Sequence, residues 1–323
     1  MVCKRENIMP EQEDIIISDA MIEKTCKALV FVGVAVVALS AARADSPRAG
    51  EAEAYGELHG CIVERLTLWP DRAPHETTRE RGTFVFDGRK GVWRPQGVTC
   101  PDVVLLKPRE VRSDVLVLAI PGGGYQTQNM GSFCRNVRPI LESGRWVAVL
   151  HHRIPRRPGR ASYEAPREDG TRAVRLLRAN AGRFGYSPEK IGVLGFSAGG
   201  NLTALLATSS KDEVYPPVDA ADGLSARLAF AVAVYPAYVT DDGLSIRPEF
   251  KFDDHTPPMM LLHGDEDDVT SPLSSVLLYA ELHKRKIPAQ LFVFTHAAHG
   301  LADKVHIRGW QWRIVDWLTE MGY

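Results

Sequence analysis

The sequence predicts an α/β domain whose mostly parallel sheet is covered by helices on both faces. Three observations carry this reading. Short, nearly continuous apolar runs recur along the chain, as in strands buried on two faces. Amphipathic stretches of 3.6-residue periodicity alternate with them. The 323 residues are 45% hydrophobic and show no internal repeat or low-complexity segment, which suits one large globular domain after an N-terminal leader.

The elements follow in order. "DSPRAGEAEAYGE", opening a stretch over 45–60, is small and polar and reads as a linker; the catalytic domain is expected over 61–323. Strand candidates are "CIVERLTLW" (61–69), "DVVLLKP" (102–108) and "DVLVLAI" (114–120). A helix is expected around 129–143, then a strand "WVAVLHH" (146–152). In 167–185, Ala173, Leu177, Ala181 and Phe184 share one face and the arginines lie elsewhere, which predicts a helix. Then come strand "KIGVLGF", helix "AGGNLTALLAT", strands "LAFAVAVYP" and "PPMMLLHG", helix "SPLSSVLLYAELHKR", strand "AQLFVFT" and a last amphipathic helix within "WQWRIVDWLTEMG".

The chemistry centres on Gly195-Phe196-Ser197-Ala198-Gly199, a G-x-S-x-G pattern. Alone it is common. Here it joins an apolar strand to a helix, the arrangement in which the serine stands on a sharp turn and the helix N-terminus faces developing negative charge. A nucleophilic serine needs a base, and the base an orienting acid, in the chain order Ser, acid, His. His299, in the loop after "AQLFVFT", is the expected base and His296 its rival; His283 and His306 sit in helical runs. The acidic turn after "MMLLHG" supplies Asp267 as first choice of acid, then Asp268 and Asp265, while His263 reads as a structural strand-end residue. A glycine-rich loop, "PGGGY", follows the strand ending at 120 and suits backbone N–H donors for an oxyanion, joined by the N–H of Ala198. No G-x-x-x-x-G-K-[ST] follows, which argues against a nucleotide P-loop.

In this order "PGGGY", "GFSAGG", "HGDEDD" and "AHG" resemble the motifs of the α/β-hydrolase esterases, above all the bacterial acetylxylan-esterase-like and hormone-sensitive-lipase-like carboxylesterases. The resemblance spans about 60–320. It implies an α/β-hydrolase fold without a large cap domain, with Ser197 as nucleophile, Asp267 as acid, His299 as base, and Gly123, Gly124 and Ala198 as the oxyanion hole. Pro121 stands where the group often has His. "HHRIP" (151–155) and Asp169 with Arg172 also resemble segments of that group and read as scaffold. The implied reaction needs no metal and no organic cofactor.

The formal net charge of −1 argues against a nucleic-acid partner. An uncharged apolar run from Ala28 to Ala42, after Lys24 and Lys27 and before "ARA", reads as a signal peptide over 1–44, cleaved near Ala44, with Met21 a possible start. The expectation is an exported protein, periplasmic or secreted, with no stable membrane insertion after cleavage. Cys61, Cys100 and Cys134 permit one disulfide or three thiols. The expected partner is a small ester or acylated carbohydrate. Residues 209–228 and 236–257 are polar and lack the apolar face of a lid helix, which points to short acyl groups. The competing readings are a serine peptidase of the prolyl-oligopeptidase type, though no propeller-sized domain precedes the motifs, and a non-catalytic hydrolase-fold binding protein.

Overall fold

The computed structural model describes residues 47–301 and 307–323. The expected leader over 1–44 and His306 lie outside them. An eight-stranded sheet runs in the order β1-β4-β6-β5-β7-β8-β9-β10. Its strands are β1 (Ile62–Thr67), β4 (Asp102–Leu106), β5 (Leu116–Ile120), β6 (Trp146–His151), β7 (Ile191–Phe196), β8 (Ala231–Val234), β9 (Met259–Gly264) and β10 (Ala289–Phe294). From β6 through β10 all neighbours are parallel; β1 and β4 are antiparallel to theirs. The eight expected strands are all present, each shorter than expected by between one and five residues.

Helices cover both faces, as expected. Alternation along β5 shows why: Leu116, Leu118 and Ile120 point into one apolar cluster, Val117 and Ala119 into the other. The first cluster is closed by α3 (Glu164–Phe184), α4 (Ala198–Thr208) and α5 (Leu273–Lys284) through Val174, Leu177, Leu205 and Leu278. The second is closed by α2 (Met130–Glu142) and α6 (Trp312–Glu320) through Phe133, Ile140, Ile314 and Leu318. Helix α4 lies deepest, buried at every position.

The linker expected over 45–60 is corrected for its described part. Residues 51–61 form helix α1 (Glu51–Tyr55) and a 3₁₀ turn (Gly56–Cys61) packed on the second cluster by Ala54, Tyr55 and Leu58. Polar composition misled because much of the burial is ionic. Arg65 Nη2 donates to Glu51 Oε2 at 2.6 Å, Arg48 and Arg65 both pair with Asp102, and Tyr55 Oη lies 2.8 Å from His151 Nε2. The domain therefore begins before residue 61. A hairpin the sequence reading passed over, β2 (Thr83–Asp87) with β3 (Val92–Gln96), packs beside α2, where Val92 meets Gly131. Its signal was present: the β-branched and aromatic residues of "TFVFD" and "VWRPQ" on either side of a turn with Gly88 and Gly91.

Cys61, Cys100 and Cys134 are free thiols, and burial pushes Cys134 up to about 12. No helix among the described residues is long and apolar enough to cross a membrane. Residues 209–228 hold only a 3₁₀ turn (Ala220–Gly223) and 236–257 no helix, so no large cap covers the sheet.

Candidate active site

Ser197 sits between β7 and α4 at φ 54°, ψ −116°. A side-chain-bearing residue is strained there, and the surroundings impose it. Ser197 N donates to Val234 O at 3.0 Å, and Ser197 O accepts from Asn201 N at 2.9 Å and Ala237 N at 3.1 Å. Glycine is required at both ends of the turn. A Cβ on Gly195 would lie 2.1 Å from Gly199 O, and one on Gly199 would lie 2.3 Å from Ile120 O.

His299 comes from the loop after β10. Its Nε2 lies 3.1 Å from Ser197 Oγ and its Nδ1 2.8 Å from Asp267 Oδ2. The carboxylate fixes the tautomer: Nδ1 carries the proton, and the Nε2 lone pair faces the serine hydroxyl. The structure thus brings together all three residues chosen from the sequence. It separates their rivals. His296 is exposed and its Nδ1 is 2.7 Å from Glu266 Oε1; Asp265 and Asp268 are exposed on the same turn.

Asp267 is only 7% exposed and is held from several directions. Its Oδ1 accepts from the Val269 and Thr270 amides at 2.9 and 2.8 Å, and its Oδ2 from Thr270 Oγ1 at 2.8 Å. His263 Nε2 lies 3.4 Å away. Burial alone would raise this carboxyl. The bonds from His263, His299 and Thr270 outweigh it and hold the group well below the usual carboxylate range. His263 is fully buried, with Nδ1 on Ser275 Oγ at 2.8 Å and Nε2 on Thr270 O at 2.9 Å. It is a strand-end anchor, and one that also touches the acid. Thr270 was missed in the sequence. Its signal is the Asp-x-x-Thr spacing, in which an Asp side chain accepts from amides two and three residues on.

The glycine loop lies against the serine turn: a Cβ on Gly122 would be 3.0 Å from Ser197 Cβ. Gly123 and Gly124 line the cleft with Ser197, at φ 141° and 63°. Ala198 opens α4 directly after the serine. Two residues the sequence reading did not single out hold this loop. Arg156 Nε donates to Gly124 O at 2.8 Å, and Tyr125 Oη donates to Asn201 Oδ1 at 2.7 Å. The segments read as scaffold are scaffold: His151 bridges Tyr55 and Gln128, Arg153 clasps Asp169, and Arg172 binds Leu68 O and Asp219. Asp169 pairs with Arg153 and Trp69, and Arg172 with other carboxylates.

The cleft above Ser197 holds about 790 Å³. An acylatable hydroxyl, an oriented base and a glycine loop at one opening form a constellation that can attack a carbonyl carbon.

Comparison with known proteins agrees. Endo-1,4-beta-xylanase B of Butyrivibrio fibrisolvens is 28% identical over 230 residues, 62% of this chain and 35% of that protein. The acetylxylan esterase of Xylanibacter ruminicola is 26% identical over 136 residues, 40% of this chain and 24% of that protein. This chain therefore spans only about a third and a quarter of these two relatives. Among solved structures, an acetyl ester-xyloside bifunctional hydrolase from Caldicellulosiruptor lactoaceticus superposes with a TM-score of 0.62 at 24% identity, covering 80% of this chain and 96% of that one. That likeness shows the fold, which is the α/β-hydrolase fold. The sequence pattern of the prolyl oligopeptidase family matches residues 150–322, more than half of the chain and all three residues of the Ser197 site. The chain belongs to the prolyl oligopeptidase family of α/β hydrolases.

Proposed function

We propose that this protein is a serine carboxylic-ester hydrolase that removes short acyl groups, acetyl foremost, from carbohydrate or small esters through an acyl-enzyme. The observation that carries this reading is the hydrogen-bonded series Ser197 Oγ–His299–Asp267. His299 takes the Ser197 proton as Oγ attacks the ester carbonyl. The N–H groups of Gly123, Gly124 and Ala198 receive the oxyanion. His299 then protonates the leaving alcohol and activates the water that frees the acid. Asp267, kept ionised, stabilises the imidazolium. The names of relatives, an acetylxylan esterase and carboxylesterases, support ester chemistry, and the absence of a large cap supports small acyl groups. Export rests on the leader pattern in the sequence.

Family membership favours one second reading, hydrolysis of peptide bonds. Purified protein assayed on p-nitrophenyl acetate, butyrate and octanoate and on a prolyl p-nitroanilide peptide separates the two. The expected result is turnover highest on acetate, falling with chain length, with label from a fluorophosphonate probe on Ser197. Anilide turnover above ester turnover, or no label, would overturn the proposal.

A further inference from the structure

The cleft is asymmetric in charge. Lys90 and Arg94 line it from the β2–β3 hairpin and Arg135 from α2, whereas Asp241 is the sole carboxylate among its described lining residues. Asp241 is already engaged, 3.1 Å from Arg247 Nη1. Lys90 and Arg135 are exposed and take no ion-pair partner among the described residues. Arg94 Nε is buried without a hydrogen bond, 3.4 Å from Asp87 Oδ2. The whole chain carries −1, so this is a local excess on one wall of the site.

Its position relative to the chemistry matters. The leaving alcohol takes its proton from His299 Nε2, and so leaves on the His299 side. Gly300 and Leu301, next to His299 in the chain, line the cleft, as does Gln311, whose Nε2 donates to Asn136 Oδ1 at 2.9 Å; Asn136 adjoins Arg135 on α2. Arg94 has Asp87 beside it, but Lys90 and Arg135 have no ion-pair partner among the described residues, so this wall attracts negative charge on the part of the substrate that lies against it.

We propose that the preferred substrate is an ester whose alcohol part carries an anionic group, a carboxylate or sulfate such as an acidic sugar bears, read by Lys90, Arg94 and Arg135. This rests on the ester-hydrolase reading above and adds the substrate class. The test compares three aryl acetates: 4-acetoxybenzoate, 4-acetoxybenzenesulfonate and neutral 4-acetoxybenzamide. They are measured in the wild type, a Lys90→Gln/Arg135→Gln double variant and Arg94→Gln. Comparing charged-to-neutral kcat/KM ratios between wild type and variant cancels the intrinsic reactivity of each ester. The expected result is a fall in that ratio by roughly fivefold or more in the double variant, the size two exposed charge contacts give together. A second reading needs no variant: raising the salt from 20 to 500 mM lowers kcat/KM for the anionic esters more than for the neutral one, because screening reaches exposed charges. The larger fall tells which anion the wall fits, the benzoate a uronate-like carboxylate and the sulfonate a sulfate ester. Equal ratios in wild type and variants, with no salt effect, would overturn the inference while leaving the hydrolase intact. Failure of the wild type to cleave any of the three would remove the hydrolase reading and the inference with it.

Discussion

The two sides of the sheet are built by different physics. From β5 through β9 the strands are parallel and apolar at nearly every position, and the site hangs from their carboxyl ends: the glycine loop after β5, Ser197 after β7, Asp267 after β9. His299 follows β10 in the same way. At the other edge β1 and β4 are antiparallel, and buried charges fasten the N-terminal segment there: Arg48, Glu51, Arg65 and Asp102, each under 9% exposed. Chemistry and anchoring thus occupy separate regions. Damage to one side should appear in turnover and damage to the other in stability.

Activity carries the largest expected effect. Ser197→Ala should remain folded and lose esterase turnover by roughly 10³-fold or more, since the oxyanion hole alone gives only residual catalysis. His299→Ala should fall comparably, because such residues act as a unit. His296→Ala should change kcat/KM by less than about twofold, as surface positions usually do. Steady-state kinetics with an unfolding curve for each variant check the ranking, and a large loss at His296 would move the base.

Stability comes next, at the opposite edge. Asp102→Asn removes the carboxylate that faces Arg48 and Arg65, with Arg81 Nε 3.6 Å away. Arg65 keeps Glu51, but the buried Arg48 guanidinium loses the carboxylate it pairs with, and breaking a buried pair in this way costs about 3–5 kcal/mol. Urea unfolding at pH 7 should show this loss, while the folded fraction keeps its turnover. Burial would raise this carboxyl, but Arg48 and Arg65 outweigh burial and hold it well below the usual range. A depressed folded pKa contributes stability above the unfolded value of about 3.9, lost as pH falls through the folded one. The gap between wild type and variant should therefore be widest at neutral pH and narrow from about pH 4 downward. A gap independent of pH would mean that Asp102 acts through packing.

This division also explains what could be read from the sequence. The parallel strands announce themselves as apolar runs, and the elbow, the glycine loop and His299 each sit at the end of one, so the site was legible from strand ends and motif order. Residues 51–61 read as linker because a Glu or Arg looks solvent-bound until its partner is known, and the partners of Glu51 and Arg48 lie 14 and 54 residues away. Arg156 was illegible for a related reason: it acts through one hydrogen bond to Gly124 O, which composition and periodicity do not register, and Thr270 showed itself only in the local Asp-x-x-Thr spacing. The cations of the hairpin are visible in the sequence, but only the fold sets Lys90 and Arg94 on the rim that holds Ser197.

Thr270 gives the smallest and sharpest test, because it lies on the chemical side yet touches no reacting atom. Its hydroxyl donates to Asp267 Oδ2 at 2.8 Å and lies 3.2 Å from His299 Nδ1, so it sits at the joint between acid and base. Its amide, donating to Asp267 Oδ1 at 2.8 Å, is backbone and survives any substitution. Thr270→Val therefore removes one bond to a carboxylate, keeps the shape of the side chain, and leaves the other donors to that carboxylate in place. Hydrogen bonds to charged groups are worth about 1.5–3 kcal/mol. Because Asp267 keeps its remaining donors, the lower end is expected, roughly a tenfold loss in kcat with KM little changed. A purely structural threonine would lower the unfolding midpoint and leave kcat of the folded enzyme where it was. Thr270→Ser, which restores the hydroxyl, should recover most of the turnover. A serine variant as slow as the valine one would mean that the methyl group matters more than the hydrogen bond.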